Sequence, residues 1–212
     1  MAASVQAGLD AHGTASLAVA GGRTPIPILE ALAITPLNWS RVSITLTDER
    51  WVDEQHRDSN AALVRRHLLH DDAASARFVP LFNGAESAVD GTADCQATLA
   101  DFPLPFDVVL LGMGEDGHIA SLFPGINALA DGAADEPGRH CIAVTPSTAP
   151  HERMSLTVSM LLRARLLVLM VTGERKWEVL QQALQPGPAM DLPVRTVLHQ
   201  TTAPLAIYWA PA

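Results

Sequence analysis

Short apolar runs, rich in β-branched residues, alternate along this chain with longer stretches of helical periodicity. The apolar runs predict strands at 16–20, 42–47, 107–111, 141–144, 165–171 and 205–209. The stretches between them predict helices at 25–33, 59–69, 86–101, 155–162 and 174–184. Strands that are apolar on both faces and alternate with helices are typical of parallel sheets. We therefore predict an α/β, Rossmann-like fold, a mostly parallel sheet covered by helices on both faces.

Length and composition limit both the organisation of the chain and its partners. The 212 residues suit a single domain, 1–212. Hydrophobic residues make up 48% and charged residues 17%, which excludes a disordered chain. The net charge of −9 disfavours nucleic acid and anionic membrane surfaces as partners. An anionic ligand must then be held by a few locally placed cations.

Targeting and redox signals point to a cytoplasmic protein. Residues 1–20 lack the positive start and the continuous apolar core of a signal peptide. The most apolar stretch, 156–171, is interrupted by Arg163 and Arg165, so we expect no membrane span. Cys95 and Cys141 form no CxxC pattern and are expected to be reduced thiols.

The first segment that follows a strand reads AGGRTP, at 20–25. Ligands of parallel sheets bind beyond the carboxyl ends of the strands, so such segments are where function is expected. The glycines permit positive φ, Thr24 can cap a helix, and Pro25 suits its first turn. Exposed N–H groups at a helix N-terminus attract anions, and Arg23 adds charge. The alternative is an ordinary strand-to-helix turn.

A charged triplet follows the second predicted strand. Asp48, Glu49 and Arg50 stand in TLTDERWV and are expected to end that strand. A carboxylate beside an arginine can orient a base or hold a substrate hydroxyl. The alternative is a solvated strand end with a local ion pair.

The segment after the third predicted strand, FDVVLLGMGEDGHIASLFPG at 106–125, contains GxGxxG. A dinucleotide site is disfavoured, because the charges of Glu115 and Asp116 would oppose a pyrophosphate. No acidic residue ends a further strand about 20 residues on, where 127–138 indicates a solvated loop. The glycines instead allow a sharp turn that presents Asp116 and His118 for acid–base chemistry. The alternative is a histidine that merely caps the turn.

The remaining polar segments offer candidate ligands for a metal and for an anion. Asp53, His56 and Asp58 form a polar loop without the spacing of a closed metal site, so we predict no metal. Among 14 cations the chain has 13 arginines and one lysine, Lys176. This is either a composition bias or a position that needs a compact ammonium group. Arg23, Arg153 and Lys176 all flank predicted strand ends, so they are expected to converge on one anion unless they are surface charges.

Taken in order, six segments resemble the 6-phosphogluconolactonase family, part of the superfamily of sugar-phosphate isomerases and lactonases. They are GGRTP, TDERWV, DSN at 58–60, LLGMGEDGHIASLFPG, RMSLT and GERK. The resemblance spans nearly the whole chain and implies hydrolysis of 6-phospho-D-glucono-1,5-lactone in the oxidative pentose phosphate pathway. It also implies no metal or organic cofactor. We expect a small phosphorylated sugar lactone as the ligand, and a monomer or weak homodimer.

The resemblance assigns roles to ten residues. His118 matches the catalytic histidine, with Asp116 beside it, and Arg50 and Asp48 match polar residues of the same cleft. The phosphate ligands are matched by Gly21, Gly22, Arg23, Thr24, Arg153 and Lys176. Ala20 stands where the family often has serine, and the segment before the phosphate loop is shorter than usual.

Two other functions remain open on the sequence alone. An amino-sugar phosphate isomerase or deaminase would share the phosphate loop and the Asp-Gly-His turn, and would use a carboxylate at Asp48 as its base. A sugar-phosphate sensor on the same fold would need neither His118 nor Asp116. Such sensors generally carry a DNA-binding or partner domain, and we expect none in this acidic chain.

Overall fold

The computed structural model describes residues 1–125, 138–147 and 149–211, so the predicted loop at 127–138 lies outside the described residues apart from Gly138. The strands in this part of the chain are β1 (Ala15–Val19), β2 (Val42–Leu46), β3 (Asp48–Arg50), β4 (Arg77–Val79), β5 (Val108–Gly112), β6 (Cys141–Val144), β7 (Arg153–Leu156), β8 (Leu167–Thr172) and β9 (Leu205–Ala210). They form two sheets, of six and three strands.

The six-stranded sheet has the order β4-β2-β1-β5-β8-β9, and every pairing in it is parallel. In chain order, β1 is the first strand of this sheet, β2 and β4 follow on one side of it, and β5 then pairs with its other side. Side chains of β1 and β2 are buried along their whole length, as their apolar runs predict. The predicted α/β fold is confirmed. Its strand order reverses between β1 and β5, which is where ligands bind in such sheets.

Helices cover both faces of this sheet. The helices of the described residues are α1 (Ala2–His12), α2 (Ile26–Ala33), α3 (Asn60–His67), α4 (Thr92–Ala100), α5 (Val158–Leu162), α6 (Glu174–Ala183) and α7 (Arg195–Leu198), with 3₁₀ turns at Trp39–Arg41 and Asp71–Ser75. Gly13, at φ 71°, ends α1 in a left-handed conformation that allows the chain to turn into β1. None of these helices is long and apolar enough to cross a membrane.

The three-stranded sheet is antiparallel, in the order β3-β7-β6, and the sequence did not predict it. Residues 48–50 do not end the preceding strand but form β3. Residues 141–144 form a strand as predicted, yet β6 belongs to this second sheet. Arg153 lies on β7 rather than directly before a helix. These strands are short, and their alternation is masked because buried charged residues stand among the apolar ones.

Two helix starts differ from prediction by three residues or more, and one predicted cap is absent. Thr157 accepts a hydrogen bond from the Met160 N–H, so α5 begins at Val158 and residues 155–156 remain in β7. The helix predicted from residue 86 begins at Thr92, after a turn in which the Ser87 hydroxyl donates to Asp90. The predicted N-cap Thr24 does not cap α2, since its hydroxyl bonds that of Thr172 instead, at 3.1 Å.

Candidate active site

An open cleft of about 210 Å³ lies at the point where the strand order reverses, beyond the carboxyl ends of β1 and β5. Nine of the ten predicted site residues line it, namely Gly21, Gly22, Arg23, Thr24, Asp48, Arg50, His118, Arg153 and Lys176. The tenth, Asp116, stands beside His118. The structure thus gathers segments from residue 20 to residue 176 into one site, as the sheet topology requires.

The loop after β1 forms one end of the cleft. Gly22 adopts φ 84°, a conformation that glycine reaches without strain. Within the described residues, the backbone N–H groups of residues 21–24 donate to no protein acceptor. These amides precede α2, whose dipole places partial positive charge at the same end. This end of the cleft therefore suits a phosphate group.

The glycine-rich turn after β5 presents a histidine–carboxylate pair. His118 Nδ1 lies 2.6 Å from Asp116 Oδ1, and the same oxygen accepts the His118 N–H at 3.1 Å. Gly114 packs under the imidazole, where a Cβ would collide with the ring. Burial acts to raise the pKa of Asp116, but the hydrogen bond and charge of His118 hold it below its ordinary value. Asp116 stays ionised and fixes the ring, so Nε2 is the free nitrogen.

The second sheet brings three charged side chains to the cleft. Asp48 and Arg50 alternate with Glu49 on β3 and therefore share a face, and Arg50 is paired in register with Arg153 on β7. Asp48 is buried and accepts hydrogen bonds from the hydroxyls of Ser121 (2.6 Å) and Thr47 (3.3 Å). These contacts fix its carboxylate at the cleft wall.

The cations of the cleft are arranged for an anion. Burial, and then the charge of Arg50, lower the pKa of Arg153. The Nε atoms of Arg50 and Arg153 are buried without a hydrogen-bond partner. Lys176, in the first turn of α6, lines the same cleft, whereas the neighbouring Arg175 is exposed and pairs with Glu178. Arg23, Arg153 and Lys176 thus line one cleft, and their convergence on one anion stays a prediction.

Two polar residues of the site were missed. Asn60, the first residue of α3, lines the cleft, is nearly fully buried, and donates from Nδ2 to the Asp48 carbonyl at 2.8 Å. Its position in the DSN segment was a signal, because that segment is one of the six that resemble the family, and such segments are expected to contain site residues. Ser121, which bonds Asp48, lies in the run after His118 and carried no signal of its own.

His56, Asp58 and His151 bring their ligand atoms within 4.8 Å of one another, and Asp53 does not join them. Asp58 Oδ2 lies 3.1 Å from His151 Nε2, and His56 Nδ1 accepts the Asp58 N–H, so two lone pairs are already engaged. Arg57 Nε lies 3.9 Å from the other Asp58 oxygen and would repel a cation. This donor set fits a hydrogen-bonded cluster better than a metal site, and metal independence stays a prediction.

Comparison with known proteins places the chain. The family model described as glucosamine-6-phosphate isomerases/6-phosphogluconolactonase matches residues 1–209. The 6-phosphogluconolactonase of Pseudomonas aeruginosa is 44% identical over 212 residues, covering 100% of this chain and 87% of that protein. That of Rhizobium meliloti is 44% identical over 209 residues, covering 99% of this chain and 90% of the relative.

Solved structures agree with this placement. The crystal structure of a 6-phosphogluconolactonase from Shewanella baltica is similar with a TM-score of 0.95 and 41% identity, covering 100% of this chain and 89% of that chain. A monomeric glucosamine-6-phosphate deaminase shares the fold alone, with a TM-score of 0.78 and 16% identity over 97% of this chain and 91% of that one. The chain belongs to the glucosamine-6-phosphate isomerase/6-phosphogluconolactonase family.

Proposed function

We propose that this cleft hydrolyses 6-phospho-D-glucono-1,5-lactone to 6-phospho-D-gluconate in the oxidative pentose phosphate pathway, with His118 as general base. The observation that carries the proposal is the placement of the His118–Asp116 pair in the same cleft as a cluster of cations and free backbone amides. Curated relatives that are 34–44% identical over the full chain are 6-phosphogluconolactonases, which supports the same activity.

The phosphate end of the substrate is held by the loop after β1 and by basic side chains. Residues 21–24, whose N–H groups have no acceptor among the described residues, line the same cleft as Arg153 and Lys176. Charge-assisted hydrogen bonds of this kind orient the substrate as well as bind it. The binding energy of the remote phosphate is thereby used to place the lactone carbonyl near His118.

At the lactone end, His118 Nε2 takes a proton from a water molecule as the water oxygen bonds to C1. Asp116 holds Nδ1 and stabilises the imidazolium that forms. Arg50 or backbone N–H groups of the glycine-rich turn stabilise the negative charge on the carbonyl oxygen. The bond between C1 and the ring oxygen then breaks, and His118 returns its proton to that oxygen. The product is an open-chain acid, which ionises and releases one proton.

Further parts of the proposal concern the molecule as a whole. The reaction needs no cofactor, since water is the nucleophile and His118 carries the one proton that moves from the water to the ring oxygen. We also propose a single domain over residues 1–212, a cytoplasmic location, and a monomer or weak homodimer without nucleic-acid or membrane partners. The acidic net charge of −9 supports the absence of polyanionic partners.

The test compares two sugar phosphates with the same preparation. Proton release from 6-phosphogluconolactone is followed in a pH-stat above the spontaneous rate, and ammonia release is followed from glucosamine 6-phosphate. We expect rapid proton release and no ammonia. Ammonia formation without lactonase activity would identify a deaminase with Asp48 as its base, and the absence of both activities would favour a sensor.

A further inference from the structure

Glu49 is a fully buried carboxylate between two residues of the cleft. Its neighbours on β3, Asp48 and Arg50, face the cleft, so strand alternation turns Glu49 to the opposite face. Its exposed fraction is 0%. A buried ionisable group without a partner of opposite charge is costly, so its retention needs a reason.

Four donors surround the Glu49 carboxylate. Oε1 accepts the N–H groups of Arg50 (2.8 Å) and Asn60 (2.7 Å). Oε2 accepts the Ala61 N–H at 2.7 Å and the Ser59 hydroxyl at 3.2 Å. Three of these donors belong to the start of α3, whose first amides have no partner inside the helix. Glu49 therefore joins β3 to α3 through hydrogen bonds that only an ionised carboxylate satisfies completely.

Asn60 extends this connection to the phosphate loop. Its backbone N–H is held by Glu49 and its Nδ2 by the Asp48 carbonyl. Its Oδ1 is buried without a hydrogen-bond partner and lies against Gly21, where a Cβ would collide with it. The position of Asn60 thus sets how closely the loop after β1 approaches β3, and Glu49 sets the position of Asn60.

We propose that Glu49 is a positioning residue for the lactonase reaction. Its carboxylate fixes Arg50 and Asn60, and through Asn60 it sets the distance between the lactone end of the cleft and the phosphate loop. Glu49 does not touch the substrate. The proposal rests on the proposed function, because the distance between the two ends of the cleft matters only if one substrate spans both of them.

Glu49 also makes the positions of Arg50 and Asn60 depend on pH. Burial, with a smaller contribution from repulsion by Asp48, raises the pKa of Glu49 from 4.5 to about 7, although the backbone hydrogen bonds of Asn60, Ala61 and Arg50 act to lower it. Arg153 on the neighbouring β7 is the cation whose own pKa reflects attraction to Glu49. The α3 residues that contact Glu49 are neutral. Protonation adds a hydrogen to a carboxylate that already faces four donors. Acidification through about pH 7 therefore disrupts the hydrogen bonds that join β3 to α3.

Stability and activity then respond to acid in opposite directions. Because the folded pKa of Glu49 exceeds its unfolded value, its contribution to stability rises as pH falls from about 7 to 4.5. Activity falls over the same window, because the ionised carboxylate holds the site. A loss of activity on acidification that came from unfolding would instead lower the melting temperature.

The experiment measures kcat/KM for 6-phosphogluconolactone between pH 5 and 8 in the wild type, Glu49→Gln and Ser59→Ala. Protonation of Glu49 adds one step to the acid limb of the wild type, so this limb should be steeper in the wild type than in Glu49→Gln, where the step is absent. In Glu49→Gln an amide NH₂ faces two donors, and we expect kcat at pH 8 to fall about 10- to 100-fold and the acid limb to be shallower than that of the wild type. Ser59→Ala removes one donor to the anion, so its acid limb should move up by about half a pH unit.

Asp107→Asn is the matched control, because Asp107 is also buried and accepts the Ser16 N–H at 2.8 Å, but at the amino end of β5. We expect it to leave the pH profile unchanged. A folded Glu49→Gln with the wild-type slope, or with a rate loss no larger than that of Asp107→Asn, would overturn the proposal. If Glu49→Gln does not fold, an unmoved acid limb in Ser59→Ala overturns it. Failure of the wild type to hydrolyse the lactone would reject the proposed function instead.

Discussion

The two sheets serve one cleft in different ways. Strands of the parallel sheet, such as β1 and β2, are buried and mostly apolar, and the sheet contributes to the cleft through the loops that follow its strands and through Gly112, the last residue of β5. Strands of the antiparallel sheet place charged side chains in the cleft directly, with Asp48 and Arg50 on β3 and Arg153 on β7. The first sheet is a scaffold for functional loops, and the second is itself part of the functional surface.

The cost of these charges supports this distinction. Arg50 and Arg153 are paired in register on adjacent strands, where like charges repel. In the described part of the chain neither makes a salt bridge with a carboxylate, and the Nε of each is buried without a hydrogen bond. This repulsion destabilises the fold without a ligand, and the negative charge of an anionic ligand can relieve it. The strands of the parallel sheet contain no comparable pair of like charges among the described residues.

The largest expected effect lies in a loop of the parallel sheet. His118→Ala removes the general base and should lower the enzymatic rate by about 10²–10⁴-fold, with no change in fold because His118 is only partly buried at a surface turn. The rate is measured above the spontaneous hydrolysis of the lactone, and circular dichroism checks the fold. Near-wild-type turnover in the folded variant would remove His118 from the mechanism.

A smaller effect is expected at the phosphate end. Lys176→Ala deletes one charge-assisted contact worth about 1.5–3 kcal/mol, or about 10- to 150-fold in kcat/KM. Lys176→Arg keeps the charge in a bulkier planar group, so it should rescue only partly. Arg175→Ala is the matched control, since Arg175 is the adjacent cation and pairs with Glu178 on the surface. Equal losses in both alanine variants would mean that general charge, and not contact, accounts for the effect.

No effect is expected from chelators. His56 and Asp58 follow β3, and His151 precedes β7, so a metal at this cluster would change how the second sheet works. Their lone pairs are engaged and Arg57 is close, so EDTA should leave kcat/KM unchanged. Activity that EDTA abolishes and a divalent ion restores would show that the second sheet depends on a metal.

The sequence predicted the two regions unequally, for a physical reason. Strands buried on both faces have a strong apolar signal, so five strands of the parallel sheet were recognised and only the three-residue edge strand Arg77–Val79 was missed. In the antiparallel sheet only β6 has such a signal, because the residues at 48–50 are charged and the strands that pair are remote in sequence. The residues that line the cleft from loops after parallel strands could be predicted because these loops must converge, and those on β3 and β7 were assigned by the family resemblance. Asn60 and Glu49 act through hydrogen bonds that no local pattern reveals.

One measurement tests the division between a reacting end and a phosphate end most directly. Turnover of 6-phosphogluconolactone and of unphosphorylated gluconolactone is compared in the wild type, His118→Ala and Lys176→Ala. Because His118 acts on the lactone, its loss should lower both rates by a similar factor. Because Lys176 is proposed to contact the phosphate, its loss should lower the rate for the phosphorylated substrate alone. The account is contradicted if Lys176→Ala lowers both rates equally, or if His118→Ala spares the unphosphorylated lactone.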